Sequence, residues 1–265
     1  MEKYDVKFKK KLGQNFLKDN NIVKRIVDIS GIDSDSLVIE VGPGGAILTR
    51  ELAMKAKNVL AYEIDTDLED ELAKRLSEFE NVDILFQDFM ISDMQTDISN
   101  YSYKKLFFVS NVPYYITTPI IMKLIQSGLH FDNIVMMVQK EVGDRFSTSP
   151  GSREYGSITV LLNYFYDVRK EFLVSKKHFV PEPKVDSVVV SFHENKRYSV
   201  TNFNFFETLV RDCFQFKRKT IKNNLKSYNL MIVDSVLKKY GYDLTVRAEN
   251  LDIEVFVALA NALWK

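Results

Sequence analysis

The sequence has little of several residue types that build particular classes of protein. Cys213 is the only cysteine, so the chain cannot form an internal disulfide, which fits a reducing cytoplasm. The three histidines, His130, His178 and His193, lie apart without cysteines at ligand spacing, so we expect no metal site. No apolar run approaches the roughly 20 residues of a membrane-spanning helix, and residues 1–5 show no signal-peptide core. We therefore expect a cytoplasmic protein that uses neither a metal nor a membrane.

The sequence also lacks a net charge, because 36 basic side chains balance 36 acidic ones. Zero net charge argues by itself against a nucleic-acid partner, but local basic patches decide whether a surface binds phosphate. The acids are concentrated between residues 65 and 80, and one basic cluster stands at the start of the chain: Lys7, Lys9, Lys10 and Lys11. A second basic cluster contains no acid: Lys217, Arg218, Lys219, Lys222 and Lys226.

A polar and aromatic stretch follows the apolar run 106–109, which predicts a buried strand. Pro113 restricts its own φ and the conformation of the residue before it, so the backbone after Asn111 is stiff. Thr118, with a proline directly after it, predicts the N-cap of a helix. The amide of Asn111 and the ring of Tyr114 are thus held at the carboxyl end of a strand, where ligands bind in open α/β sheets. The alternative is an ordinary turn with a core tyrosine.

Residues 37–41 predict a buried strand, and Gly-Pro-Gly-Gly at 42–45 follows it before a helical run. Strand, glycine turn and helix form the nucleotide-binding unit of a doubly wound fold. Gly42 and Gly44 allow the backbone to approach a ligand with no Cβ in the way. Because Pro43 interrupts the dinucleotide fingerprint, the loop favours a cofactor without a pyrophosphate.

Acidic residues follow the next two predicted strands. Glu63 directly follows the predicted strand 58–62 and lies about 20 residues after the glycine loop. A carboxylate at this position can accept hydrogen bonds from both ribose hydroxyls. The alternative is a solvated acid at a helix start, and we assign that capping role to Asp65. Asp88 follows the strand 82–86, where it either accepts a hydrogen bond from an exocyclic amine or is an ordinary turn residue.

These segments, in this order, resemble a class I S-adenosylmethionine-dependent methyltransferase. Five motifs are similar to those of the ribosomal RNA adenine N6-dimethyltransferases: Gln-Asn-Phe-Leu (14–17), Glu-Val-Gly-Pro-Gly (40–44), Glu-Ile-Asp (63–65), Gln-Asp-Phe (87–89) and Asn-Val-Pro-Tyr (111–114). Further segments resemble the small-subunit group of that family: 116–119, 139–142, 179–187, 216–225 and 247–251. The resemblance spans nearly the whole chain. Ala46 departs from it, because many members carry glycine there, but alanine is small and we expect cofactor binding to be retained.

The resemblance implies a reaction. The chain is expected to transfer methyl groups from S-adenosylmethionine to the N6 amine of two adjacent adenines in small-subunit (16S-type) ribosomal RNA during ribosome biogenesis. Glu63 is then expected to bind the cofactor ribose and Asp88 the cofactor adenine amine. Asn111 would accept a hydrogen bond from the target amine, with Tyr114 and Phe179 on the two faces of the target base. The alternative for Phe179 is plain packing within its loop. The cofactor site would be lined by Gln14, Asn15, Leu17, Gly42, Gly44, Glu63, Asp88, Phe89 and Asn111.

The last part of the chain predicts a separate helical region. A chain of 265 residues, with 46% hydrophobic and 27% charged residues, can hold one large domain and a small one. We expect an α/β, Rossmann-like methyltransferase domain at 1–195 and a small all-α RNA-binding domain at 196–265, acting as a monomer. The basic cluster at 217–226 can bind RNA phosphates, although any single lysine could simply belong to a solvated helix face.

Two other functions stay open on the sequence. A non-catalytic RNA-binding factor on the same fold is disfavoured by the intact Asn111, Glu63 and Asp88. A large-subunit methyltransferase that confers macrolide resistance is disfavoured by residues 117–119 and by the longer basic C-terminal region.

Overall fold

A computed structural model describes residues 15–264, so Gln14 and the four N-terminal lysines lie outside the described residues. Strands and helices alternate through the first part of the chain, as the sequence predicts. The strands are β1 (Phe16–Leu17), β2 (Ser36–Val41), β3 (Asn58–Glu63), β4 (Val82–Phe86), β5 (Lys105–Asn111), β6 (Asn133–Gln139), β7 (Tyr166–Val174), β8 (Phe179–Val180) and β9 (Ser187–Glu194). The helices are α1 (Asn20–Ser30), α2 (Ile47–Ala53), α3 (Glu69–Arg75), α4 (Met94–Ile98), α5 (Thr117–Gln126), α6 (Lys140–Phe146), α7 (Ser157–Phe165), α8 (Phe203–Phe214), α9 (Ile221–Asn224), α10 (Leu230–Lys239) and α11 (Ile253–Leu263).

The main sheet of the described chain has the strand order β4-β3-β2-β5-β6-β9-β7. Neighbours from β4 through β6 are parallel, and β9 runs antiparallel to β6. The strand order reverses between β2 and β5, so their carboxyl ends open a crevice of the kind in which such sheets bind ligands. This arrangement confirms the predicted Rossmann-like α/β fold.

Helix α1 shows why the predicted elements form where they do. Its stripe of Val23, Ile26 and Val27 is buried in a core cluster that also contains Val38 of β2. Gly31 ends the helix with a φ of 77°, a left-handed conformation that glycine adopts without steric cost. All six residues of β2 are buried, as expected for a central strand of a parallel sheet covered on both faces.

The start of α5 differs from the prediction. The helix begins at Thr117, its N-cap is Ile116, and no side chain caps it. A short 3₁₀ turn, Tyr114–Ile116, leads directly into the helix, so Thr118 is already inside the first turn. Pro119 is tolerated there because the first N–H groups of a helix have no partner within it. Assigning the N-cap to Thr118 was therefore wrong.

Two strands from later in the chain complete the far end of the sheet. Residues 172–174 belong to β7 and residues 187–192 to β9, and the two strands are neighbours in the sheet. β7 begins at Tyr166, where the backbone becomes extended directly after α7.

The chain divides into two compact units. The first contains the described residues up to Gly143 together with Arg169–His193, and it includes the parallel strands of the sheet. The second contains Asp144–Val168 and the chain from Glu194 onward, and in it α8 and α11 pack on each other and on α7. The helices after residue 196 follow the predicted pattern, and the domain division at 195/196 itself stays a prediction.

Candidate active site

A cavity of about 150 Å³ opens at the carboxyl ends of β2, β3, β4 and β5. Its lining comes from residues 15–17, from the glycine loop after β2, and from the ends of β3, β4 and β5. The predicted cofactor residues that the structure describes all contribute to it: Asn15, Leu17, Gly42, Gly44, Glu63, Asp88, Phe89 and Asn111. Gln14 lies outside the described residues.

The glycine loop turns sharply because several of its residues have positive φ. Gly42 and Gly44 have φ values of 75° and 51°, and Ala46 has 60°. A Cβ on Gly44 would lie 2.7 Å from the ring of Phe16, so only glycine fits there. Ala46 is fully buried and has a left-handed backbone, which costs an alanine about 1–2 kcal/mol. The sequence departure at Ala46 is therefore accommodated as local strain, with the loop still formed.

Glu63 ties the glycine loop to the end of β3. Its Oε2 accepts a hydrogen bond from the Gly44 N–H at 3.2 Å, and its Oε1 accepts one from the Asp65 N–H at 2.9 Å. Burial raises the pKa of this carboxyl, and the two backbone hydrogen bonds oppose that effect. Asp65 in turn accepts from the Asp67 N–H at 3.2 Å at the start of a 3₁₀ turn, which confirms its predicted capping role.

Asp88 and Phe89 follow β4 on a short turn that is hydrogen-bonded to a lysine of α5. The Oδ1 of Asp88 accepts from the Met90 N–H at 2.8 Å, and the buried Phe89 ring packs edge-on against Tyr62 at 5.1 Å. Lys123 of α5 donates from Nζ to the Met90 carbonyl at 3.0 Å. These contacts hold the Asp88 carboxylate at the rim of the cavity.

Asn111 is the last residue of β5, and its amide is oriented by the segment before α1. Its Nδ2 donates to the Asn15 carbonyl at 3.3 Å, which leaves the oxygen of the planar amide as the group able to accept from a ligand. Tyr114 also lines the cavity, and its hydroxyl is hydrogen-bonded to the hydroxyl of Ser187 at 2.7 Å. An acceptor amide, an aromatic ring and two carboxylates therefore meet in one cavity.

Comparison with known proteins agrees with this geometry. A model of the family described as ribosomal RNA adenine dimethylase matches residues 5–265. The chain belongs to this family. A protein named ribosomal RNA small subunit methyltransferase A from Macrococcus caseolyticus is 40% identical over 278 residues, covering 100% of this chain and 93% of the relative. The protein of the same name from Bacillus pumilus is 42% identical over 275 residues, covering 100% and 94%.

Solved structures of related enzymes share the whole fold. A dimethyladenosine transferase from Plasmodium falciparum superimposes with a TM-score of 0.78 at 28% identity, covering 92% of this chain and 95% of that one. The 23S rRNA methyltransferase ErmE gives a TM-score of 0.74 at 25% identity, covering 94% and 99%. Membership of the dimethylase family makes this chain an RNA methyltransferase with a class I fold.

Glu40 is a functional candidate that the sequence reasoning did not assign. It is 1% exposed and lines the cavity, and within the described chain its Oε2 has no hydrogen-bond partner. Burial raises its pKa to about 8, the negative charge of Glu63 adds to this, and the Thr49 hydroxyl opposes it. The sequence did carry a signal, because Glu40 is the only charged residue in the otherwise apolar run 37–41.

Phe179 lies beside Leu17, one of the residues that line the cavity, but its own side chain is buried. Its ring is 1% exposed in the core cluster, and β8 pairs antiparallel with β1, with Phe179 opposite Leu17. It is not part of the cavity lining. Its predicted stacking on a target base stays a prediction, and in this structure the ring is too deeply buried to contact a base.

The predicted RNA-binding residues belong to the second unit and surround the turn between α8 and α9. Asn224 holds this turn, because its Nδ2 donates to the Cys213 carbonyl at 2.7 Å and its Oδ1 accepts from the Phe216 N–H at 3.1 Å. Lys217 donates from Nζ to the Arg153 carbonyl. All five basic residues of the cluster are exposed: Lys217, Arg218, Lys219, Lys222 and Lys226.

Among residues 15–264, no group of three or more His, Cys, Asp or Glu side chains is arranged to hold a metal ion. None of the helices in this range has the length and apolar character needed to cross a bilayer.

Proposed function

We propose that this chain transfers methyl groups from S-adenosylmethionine to the N6 amine of two adjacent adenines in small-subunit ribosomal RNA, giving N6,N6-dimethyladenosine. The relatives named small subunit methyltransferase A support this substrate, because they match essentially the full length at 40% and 42% identity. The structural observation that carries the proposal is the Asn111 amide. Its nitrogen is engaged by the Asn15 carbonyl, and Asn111 lines the same cavity as Glu63 and Asp88.

The cavity suits S-adenosylmethionine, which combines a sulfonium cation and an ammonium group with a ribose and an adenine. The unpartnered oxygen of Glu40 is a buried acceptor that a cationic ligand would satisfy. Glu63 would bind the ribose hydroxyls, because both of its oxygens are already oriented by backbone N–H groups. Asp88 would accept from the cofactor adenine amine. When bound, the cofactor supplies a methyl group that an aligned nitrogen can attack in line.

Asn111 would activate the target nitrogen by positioning it. The lone pair of an adenine amine is delocalised into the ring, so the amine is a poor nucleophile. If the Asn111 oxygen and a nearby backbone carbonyl each accept a hydrogen bond from one N–H of the target amine, the amine nitrogen is drawn toward tetrahedral geometry. Its lone pair then becomes available. No strong base is needed first, because the nitrogen becomes acidic only after methylation. Such alignment can supply about 7–11 kcal/mol of the barrier.

Tyr114 would stack on the target adenine, which has to leave its own base stack to enter the cavity. Stacking of one base on an aromatic ring contributes about 1–3 kcal/mol. Phe179 would cover the other face once its buried ring becomes accessible to the base. The basic cluster of the second unit would bind RNA phosphates without reading their sequence. A monomer acting in the cytoplasm on the small subunit or its precursor is consistent with this substrate and stays a prediction.

Methyl transfer to unmodified ribosomal RNA tests the proposal. Small and large subunits from cells that lack the modification would be incubated with the protein and with S-adenosylmethionine carrying an isotope-labelled methyl group. Mass spectrometry of RNA digests would then locate the label. We expect labelled dimethyladenosine at two adjacent positions of the small-subunit RNA, and none with an Asn111→Ala control.

Two outcomes would contradict the proposal. Label in the large-subunit RNA would assign the chain to the other branch of the family, to which ErmE belongs by its name. RNA binding without any methyl transfer would indicate a non-catalytic binding factor on this fold.

A further inference from the structure

The start of β9 places a serine beside the cavity. In the sheet register, Asn111 of β5 lies opposite Met137 of β6, and Met137 lies opposite Val189 of β9. Ser187 precedes Val189 by two residues and pairs with Gln139 at the end of β6. Because β9 runs antiparallel to β6, its first residue lies at the same edge of the sheet as Asn111.

Ser187 is a polar residue in a place where polarity is costly. It is fully buried and is followed by three buried valines, 188–190. A buried hydroxyl without a partner costs about 1–3 kcal/mol on protein mutational data, so buried hydroxyls are nearly always hydrogen-bonded. The partner of this one is the Tyr114 hydroxyl, at 2.7 Å. The two groups therefore satisfy each other.

This hydrogen bond holds the Tyr114 ring at its far end. At the near end, the ring is attached to the stiff backbone after Pro113, where the 3₁₀ turn Tyr114–Ile116 begins. A phenol held at both ends rotates less freely about its side-chain torsions. Burial raises the pKa of Tyr114, so the phenol stays protonated and able to donate or accept at neutral pH.

Asp186, the residue before Ser187, holds the backbone in place at the start of β9. The Asp186 carbonyl accepts from the Lys140 N–H at 3.0 Å, and its Oδ1 accepts from the Lys176 N–H at 2.9 Å. The backbone that carries Ser187 is thereby tied both to the end of β6 and to the segment that leads into β8. Ser187 is thus a rigid attachment point for the phenol.

We propose that Ser187 is the positioning residue for Tyr114, and that its hydroxyl holds the aromatic ring at the angle at which the target adenine stacks. The stacking part rests on the proposed function, whereas the anchoring part concerns the protein alone. Sites of this kind have to be held within about 0.5 Å and 10–20° of the productive geometry. Ser187 itself does not line the cavity, so it acts through Tyr114 and makes no contact with the substrate.

A double-mutant cycle tests the proposal, with Ser187→Ala, Tyr114→Phe and the double variant. A neutral hydrogen bond contributes about 0.5–1.5 kcal/mol, so we expect each single variant to lower kcat for RNA methylation roughly 2- to 10-fold. KM for RNA should change little, because phosphate contacts dominate RNA affinity. The double variant should be no slower than the slower single variant, since both changes remove one and the same interaction.

Ser191→Ala is the matched control. Ser191 lies four residues further along β9, is also fully buried, and donates from its hydroxyl to Glu171 at 2.5 Å, away from the cavity. If Ser187 were only a buried hydroxyl that stabilises the sheet, the two serine variants would lose activity and thermal stability in parallel. We expect Ser191→Ala to keep the wild-type kcat, and we expect calorimetric binding of S-adenosylmethionine to be unchanged in all variants.

Amide hydrogen exchange separates this proposal from the proposed function. Ser187→Ala and Tyr114→Phe should each increase exchange in the peptide covering residues 112–118, to the same extent, while Ser191→Ala should not. This measurement needs no RNA, so it tests the anchoring even if the wild-type protein methylates another substrate. Multiplicative losses of kcat in the double variant, or unchanged exchange at 112–118 in Ser187→Ala, would overturn the proposal.

Discussion

Glu40→Gln should make the ligand-free protein more stable at neutral pH, and the gain should vanish in acid. Glu40 is 1% exposed, one of its oxygens has no partner within the described chain, and Glu63 lies close enough to repel its charge. Burial therefore raises its pKa to about 8 from an ordinary value of 4.5. Glutamine has nearly the same shape and carries no charge at any pH.

The sign and the size of the effect follow from linkage. A carboxyl whose pKa is higher in the folded state stabilises the fold fully below its unfolded pKa, and this contribution is lost as pH rises toward the folded pKa. With values of 4.5 and about 8, ionisation of Glu40 costs the wild-type fold about 3 kcal/mol at pH 7 and about 5 kcal/mol when complete. For a chain of this size, about 3 kcal/mol corresponds to roughly 6–12 °C in Tm.

Thermal unfolding from pH 5 to pH 8 measures this difference. We expect the Tm of Glu40→Gln to lie only about 2–3 °C above that of wild type near pH 5, and the difference to grow progressively at higher pH. Glu80→Gln is the control, because Glu80 is an exposed glutamate and its variant should follow the wild type at every pH. If the curves of Tm against pH for Glu40→Gln and wild type run parallel, the Glu40 carboxyl is ionised in the folded state. The claim that burial raises its pKa would then be refuted.

The remaining predictions concern the site and the basic cluster. Asn111→Ala should abolish methyl transfer while calorimetric affinity for S-adenosylmethionine stays within a few fold; near-normal turnover would contradict its role. Glu63→Gln should weaken cofactor affinity about 10- to 100-fold, because a hydrogen bond to a charged group contributes about 1.5–3 kcal/mol, and an unchanged Kd would argue against the ribose contact. Lys219→Ala should lower the slope of log Kd for RNA against log salt by about 0.7, and an unchanged slope would exclude a phosphate contact.

The main features of the site could be predicted because they depend on where strands end. Asn111, Glu63 and Asp88 each follow or end an apolar run, and such runs predict strands. In a parallel sheet the carboxyl ends of neighbouring strands meet at one edge, so residues distant in sequence were expected to come together. The structure brings all three into one cavity.

Features that depend on side-chain direction could not be predicted in this way. The motif around Phe179 shows that an aromatic ring is present, but only the pairing of β8 with β1 shows that the ring faces the core. The start of α5 was misassigned for a similar reason. The backbone after Pro113 forms a 3₁₀ turn that passes into the helix without a side-chain cap, and Thr118 has no local feature that reveals this.

Polar residues inside apolar strands are a signal that sequence reasoning can use more fully. Glu40 in β2, Ser110 in β5 and Ser187 in β9 all lie at or within one residue of the strand end that borders the site, and each is almost fully buried. Burial of such a group requires a partner. Ser110 donates to the Val41 carbonyl at 2.7 Å, and Ser187 bonds to Tyr114. Of these three residues, only Glu40 has a buried oxygen without a partner in the described chain, so the partner it lacks within the protein is best supplied by a cationic ligand.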